Sequence, residues 1–71
     1  MKPFVTQDTT FDEISSKYPV SLKIMSGFGI QCSKDNTPKT ETLGNLARMA
    51  RMTDKEIVMM LEKINHTLHA L

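Results

Sequence analysis

Twice in this chain a Thr is followed three residues later by a Glu at the head of an apolar stripe, in Thr10-Phe11-Asp12-Glu13 and in Thr53-Asp54-Lys55-Glu56. That spacing is a capping box, in which the hydroxyl and the carboxylate each satisfy a backbone N–H left without a partner in the first helical turn. Two helix starts are thereby marked before any other residue is considered. Phe11, Ile14 and Tyr18 extend the first at offsets of three and seven, one face of a short helix. Pro19 closes it, because the residue before Pro is pushed out of the helical region, and it suits the first turn of a second helix, where its missing N–H is no loss.

Val20, Ile24, Met25 and Phe28 give that second helix an apolar side. Gly27 and Gly29 are placed for a left-handed terminating turn that folds Ile30 back onto the core. Gln31 to Lys39 has no periodicity and reads as a polar loop. A third helix begins near Thr40 or Thr42, its cap left open, and carries Leu43, Leu46, Ala47 and Ala50. The second capping box launches the longest helix, with the stripe Ile57, Met60, Leu61, Ile64, Leu68 and Leu71. Residues 1 to 9 read as an extended lead-in. The expected fold is all-α, a small four-helix orthogonal bundle with a polar Cys-bearing loop between helices 2 and 3. It forms one domain over residues 1–71, with a core over about residues 4–68.

Composition agrees with a folded core and limits its strength. Leu, Ile, Val and Phe make up roughly a quarter of the chain, above the level that signals disorder. A domain of this length buries only about 60% of the surface its unfolded chain exposes, which leaves a few kcal/mol of net stability. One Cys rules out an intrachain disulfide framework and a Cys-rich zinc module. Efficient helix packing or a partner, a second copy included, has to supply the rest. The six Met residues suit that second route, because thioether side chains line adaptable interfaces as well as filling core gaps.

No run approaches the roughly 18 consecutive apolar residues of a membrane span, and the N-terminal residues lack the apolar core of a signal peptide. The expected compartment is the cytoplasm, where the lone Cys32 would persist as a thiol. A net charge of +1 gives no long-range attraction to nucleic acid or to an anionic membrane, and neither is an expected partner.

Four constellations could carry chemistry. Cys32 follows a Gly-rich helix end and lies beside Lys34, whose ammonium favours the thiolate, while Asp35 opposes it. The plainer reading is a small half-buried residue with no chemistry. Glu62, His66 and His69 share one side of the last helix and could in principle ligate a transition metal, but a solvated polar face is the preferred reading and no metal or cofactor is expected. Leu46 to Ile57 has the cadence of a helix-turn-helix. A DNA-reading helix would need a basic outer side, whereas Asp54, Glu56 and Glu62 outnumber Lys55 and Lys63 there. Met49, Met52 and Met59 fall outside the tidiest stripes, and a partly exposed Met surface would suit a protein partner; core gap-filling is the alternative. Paired carboxylates in a recognisable site, a phosphate-binding Gly loop and a Ser-His-Asp arrangement are all missing, so the chain reads as non-enzymatic.

The order Thr10-Phe11, Lys17-Tyr18-Pro19, Phe28-Gly29-Ile30-Gln31-Cys32, Glu41-Thr42-Leu43 with Ala47, and Leu61-Glu62-Lys63-Ile64-Asn65 resembles a small bacterial and archaeal family, the hybrid-cluster-protein-associated redox disulfide domain. It is similar, more distantly, to the N-terminal domain of di-iron proteins that repair iron-sulfur clusters. The resemblance implies a compact all-α fold with a Cys-x-x-Cys pair after the Gly-Ile turn, and hemerythrin-like or sensory proteins as partners. Cys32 matches the first Cys of that pair, but Asp35 stands at the second, so the dithiol exchange that the family implies is lost.

The leading expectation is therefore a non-enzymatic protein-interaction domain, a degenerate member of that family, making contact through the Cys32 loop or the Met49, Met52 and Met59 surface. A homodimer is one form of that partner. The alternatives are a single-thiol redox or iron-sulfur-related role at Cys32 with Lys34 and Asp35, and helix-turn-helix DNA binding.

Overall fold

The computed structural model describes residues 3–31 and 37–71, which form four helices: α1 (Phe11–Lys17), α2 (Val20–Gly27), α3 (Leu43–Met49) and α4 (Asp54–His69). The all-α class is as expected. Extended pairing among the described residues is limited to one isolated antiparallel bridge, between Thr10 and Thr42.

That bridge joins two helix starts. Thr10 caps α1 by accepting from the Glu13 N–H at 3.3 Å, and Thr42 caps α3 by accepting from the Asn45 N–H at 3.3 Å. Around it the first helical residues exchange bonds with the opposite lead-in: the Phe11 N–H donates to the Glu41 carbonyl at 2.7 Å and the Leu43 N–H to the Thr9 carbonyl at 2.9 Å. The next pair repeats the pattern, Asp12 N–H to Lys39 carbonyl at 3.1 Å and Gly44 N–H to Gln7 carbonyl at 2.9 Å. Donors that a helix start leaves orphaned are thus satisfied by another segment of backbone. The cap of the third helix is not legible in the sequence because Asn45 stands where a capping box would place Glu or Gln.

The Thr53 box closes in full: the Thr53 hydroxyl accepts from the Glu56 N–H at 3.2 Å, and the Glu56 carboxylate accepts from the Thr53 N–H at 3.0 Å. Donation to that carboxylate by the Thr53 backbone N–H, and secondarily by the Thr53 hydroxyl at 3.0 Å, holds the Glu56 carboxyl below its ordinary range. In the Thr10 box only the hydroxyl half forms, and the Glu13 carboxylate accepts from the Thr10 hydroxyl at 3.4 Å instead.

α2 and α3 end alike. After α2, the Ile30 N–H bonds to the Met25 carbonyl and the Gly29 N–H to the Ser26 carbonyl, both at 3.0 Å, with Gly29 at φ 93°. This is a Schellman turn, and of the two expected glycines only Gly29 takes the left-handed conformation. Ile30 and Met25, both buried, supply its apolar contact. After α3, the Met52 N–H bonds to the Ala47 carbonyl at 3.1 Å, and the left-handed position is held by Arg51 at φ 61°. A side chain there costs about 1–2 kcal/mol that glycine avoids. Arg51→Gly should therefore raise unfolding stability, by about 0.5 kcal/mol once the greater freedom of the unfolded glycine is deducted. An unchanged or lower urea midpoint would contradict this reading of the turn.

The core comprises Val5, Phe11, Ile14, Met25, Ile30, Leu43, Leu46, Ala47, Ile57, Met60 and Ile64. α2 packs on both α1 and α4. Three details of the expected stripes are corrected. Leu71 is 88% exposed, because α4 ends at His69 and leaves it beyond the last turn. Ala50 is exposed at the α3 C-cap. In α2 the fully buried pair is Ser21 and Met25, while Val20, Ile24 and Phe28 are only half-buried. The Ser21 hydroxyl has no hydrogen-bond partner among the described residues.

Candidate interaction surface

Asn65 builds one wall of the surface. Its Oδ1 accepts from the Val5 N–H at 2.8 Å, and its Nδ2 donates to the Val5 carbonyl at 2.8 Å and to the Leu61 carbonyl at 2.9 Å. One amide thus clamps both backbone groups of a residue that is itself 1% exposed, and ties the lead-in alongside α4. Between the two lies an open groove of about 740 Å³, with Val5, Val58 and Leu61 as apolar lining and Asp8, Glu62 and His69 as polar lining. Phe4 stands near the end of this wall, its ring 4.6 Å from that of His69 and 5.9 Å from that of Tyr18.

A second groove, of about 650 Å³, runs along the other side of α4 and is lined by Phe28, Met59, Glu62, Lys63 and His66. Glu62 lines both grooves. The outer edge of α4 therefore stands as a ridge between them. Val58 and Met59, half exposed at 49% and 51%, form its apolar part, flanked along the helix by the exposed Lys55 and Glu62.

The three Met residues singled out in the sequence do not form one surface. Met59 lies on the ridge. Met52 is half-buried and packs against the core, as the residue drawn inward by the turn after α3. Met49, 70% exposed, lines a separate groove of about 280 Å³ with Ile30, Gln31, Leu46 and Ala50. Gln31 is the last described residue before Cys32. Cys32, Lys34 and Asp35 lie outside the described residues.

Nor do Glu62, His66 and His69 converge. His66 faces the Phe28 groove, whereas His69 lines the lead-in groove and packs on Phe4. Among the described residues there is no group of three His, Cys, Asp or Glu side chains arranged to hold a metal ion, and no helix is long and apolar enough to cross a membrane.

Two contributors escape the sequence reading. Val58 adjoins the buried Ile57 and belongs to no stripe, so periodicity alone does not pick it out. Asn65 reads as an ordinary polar position on α4, and nothing local shows that its partner lies 60 residues away. Comparison with family models, with curated proteins and with solved structures finds no match for the chain.

Proposed function

We propose that this chain is a non-enzymatic protein-interaction domain that docks through the outer ridge of α4. The observation that carries the reading is the adjacent, half-exposed pair Val58 and Met59, standing between two open grooves on the longest helix. Single exposed apolar side chains are ordinary, but two adjacent ones continuous with the apolar lining of a groove make a contiguous patch of the kind that marks a protein-interaction site. Met59 adds a side chain that adapts to a partner's contour. The resemblance to the redox-disulfide family, with Asp35 at the second Cys position, supports a role that does not depend on dithiol chemistry.

Site-specific photo-crosslinking in the producing cells tests this. A benzophenone side chain in place of Met59 should yield one discrete covalent adduct on irradiation, and the same group in place of the exposed Ser16 on α1 should not. Cys32→Ser should leave the adduct from position 59 intact. Adducts from position 49 alone would move the docking face to the Met49 groove, and loss of the adduct with Cys32→Ser would move it to the thiol.

A further inference from the structure

We infer that the ridge of α4 takes a second copy of this chain, docked antiparallel about a two-fold axis that passes between Val58 and Met59. The inference rests on the reading of α4 as the docking face and names its partner.

Lys55, Val58, Met59 and Glu62 follow one another at spacings of three, one and three residues. On a helix of 3.6 residues per turn that places all four on one stripe. All four are exposed; Val58 and Glu62 form a wall of one flanking groove, and Met59 and Glu62 a wall of the other. The stripe is symmetric in position and antisymmetric in charge: Lys55 stands three residues before Val58, and Glu62 three residues after Met59. A two-fold axis between Val58 and Met59 reverses the helix direction. It brings Lys55 opposite Glu62 of the second copy, and Glu62 opposite Lys55 of the second copy, so one axis makes two opposite-charge pairs. Val58 and Met59 meet their own counterparts at the centre. This is the self-complementarity that a closed isologous dimer requires.

The alternative directions are disfavoured by the same charges. A parallel pairing in register would set Lys55 against Lys55 and Glu62 against Glu62, two repulsions in place of two attractions. Antiparallel packing also sets the positive end of each helix dipole alongside the negative end of the other. The apolar centre is small, so the interface falls at the low end of the size range, below about 1,200 Å² in total, and a dimer that exchanges readily with its monomer is expected.

Sedimentation of the full chain over a wide concentration range at low salt, with charge reversals, decides the matter. Lys55→Glu and Glu62→Lys should each weaken self-association by about tenfold or more, since each turns two attractions into repulsions. Both substitutions in one chain restore opposite charges across the axis, and self-association should return to within about threefold of the parent. Both positions are exposed, and matched far-ultraviolet circular dichroism verifies that the fold is kept. A chain that stays monomeric at the highest concentration, or a double variant no better than the single ones, overturns the inference. An adduct from position 59 to a different protein also overturns it while leaving the interaction reading in place, whereas no adduct at all removes both.

Discussion

Replacing Asn65 by Ala should cost about 2–4 kcal/mol of unfolding stability, a large part of what a domain of this length has. The amide is the partner of the Val5 N–H and of the Val5 carbonyl, at 2.8 Å each, and Val5 is 1% exposed. Once the amide is gone, both backbone groups must either remain buried without a partner or leave the core with the lead-in, and the Val5 side chain would lose its burial in the second case. Asn65→Asp separates the contributions. The carboxylate still accepts from the Val5 N–H, but it meets the Val5 and Leu61 carbonyls with negative charge where Nδ2 had donated. It should therefore recover little of the loss. Urea unfolding measures both variants, and a cost below about 0.5 kcal/mol for Asn65→Ala would show that the lead-in is held elsewhere. The clamp also forms one wall of the larger groove beside the ridge, so hydrogen exchange at the Val5 amide should accelerate together with the loss of stability.

Gly44→Ala should destabilise the fold by about 1–2 kcal/mol, although helix propensity alone argues for a gain of about 1 kcal/mol inside α3. A Cβ at this position would lie 3.0 Å from the Gln7 Cβ and 3.2 Å from the Gln7 carbonyl oxygen. That oxygen cannot retreat freely, because it accepts from the Gly44 N–H at 2.9 Å, next to the bond from the Leu43 N–H to the Thr9 carbonyl. Making room for a methyl group therefore loosens the junction that starts α3 and anchors the lead-in. The sign of the effect separates the two accounts. A thermal midpoint raised by the substitution would mean that propensity outweighs the contact and that the lead-in is free to shift.

Local chemistry made the helices legible. The Thr53 box, the break at Pro19, the turn at Gly29 and the apolar spacing of Ile57, Met60 and Ile64 all depend on residues within a few positions of one another, and each appears in the structure as read. Interactions between distant segments were illegible for the same reason. The bridge between Thr10 and Thr42, the Asn65 clamp on Val5 and the close approach of Gly44 to Gln7 join segments that no periodicity relates. Ser21 is not legible as a core residue because a hydroxyl in a helix signals a polar face, yet its small volume lets it sit fully buried one turn before Met25. The surface was legible in part. Met59 stood out by missing the core stripe, but Met52 missed it too and is drawn inward by the left-handed Arg51 turn, a conformation that an Arg does not advertise.

The ridge of α4, as proposed, is a docking face that a second copy of the chain fills. A dilution series of two-dimensional amide spectra measures this residue by residue. The account predicts concentration-dependent shifts centred on Lys55, Val58, Met59 and Glu62, fading towards α1 and abolished by Lys55→Glu. Spectra that do not change with concentration, or shifts centred on Met49 and Gln31 instead, would contradict it.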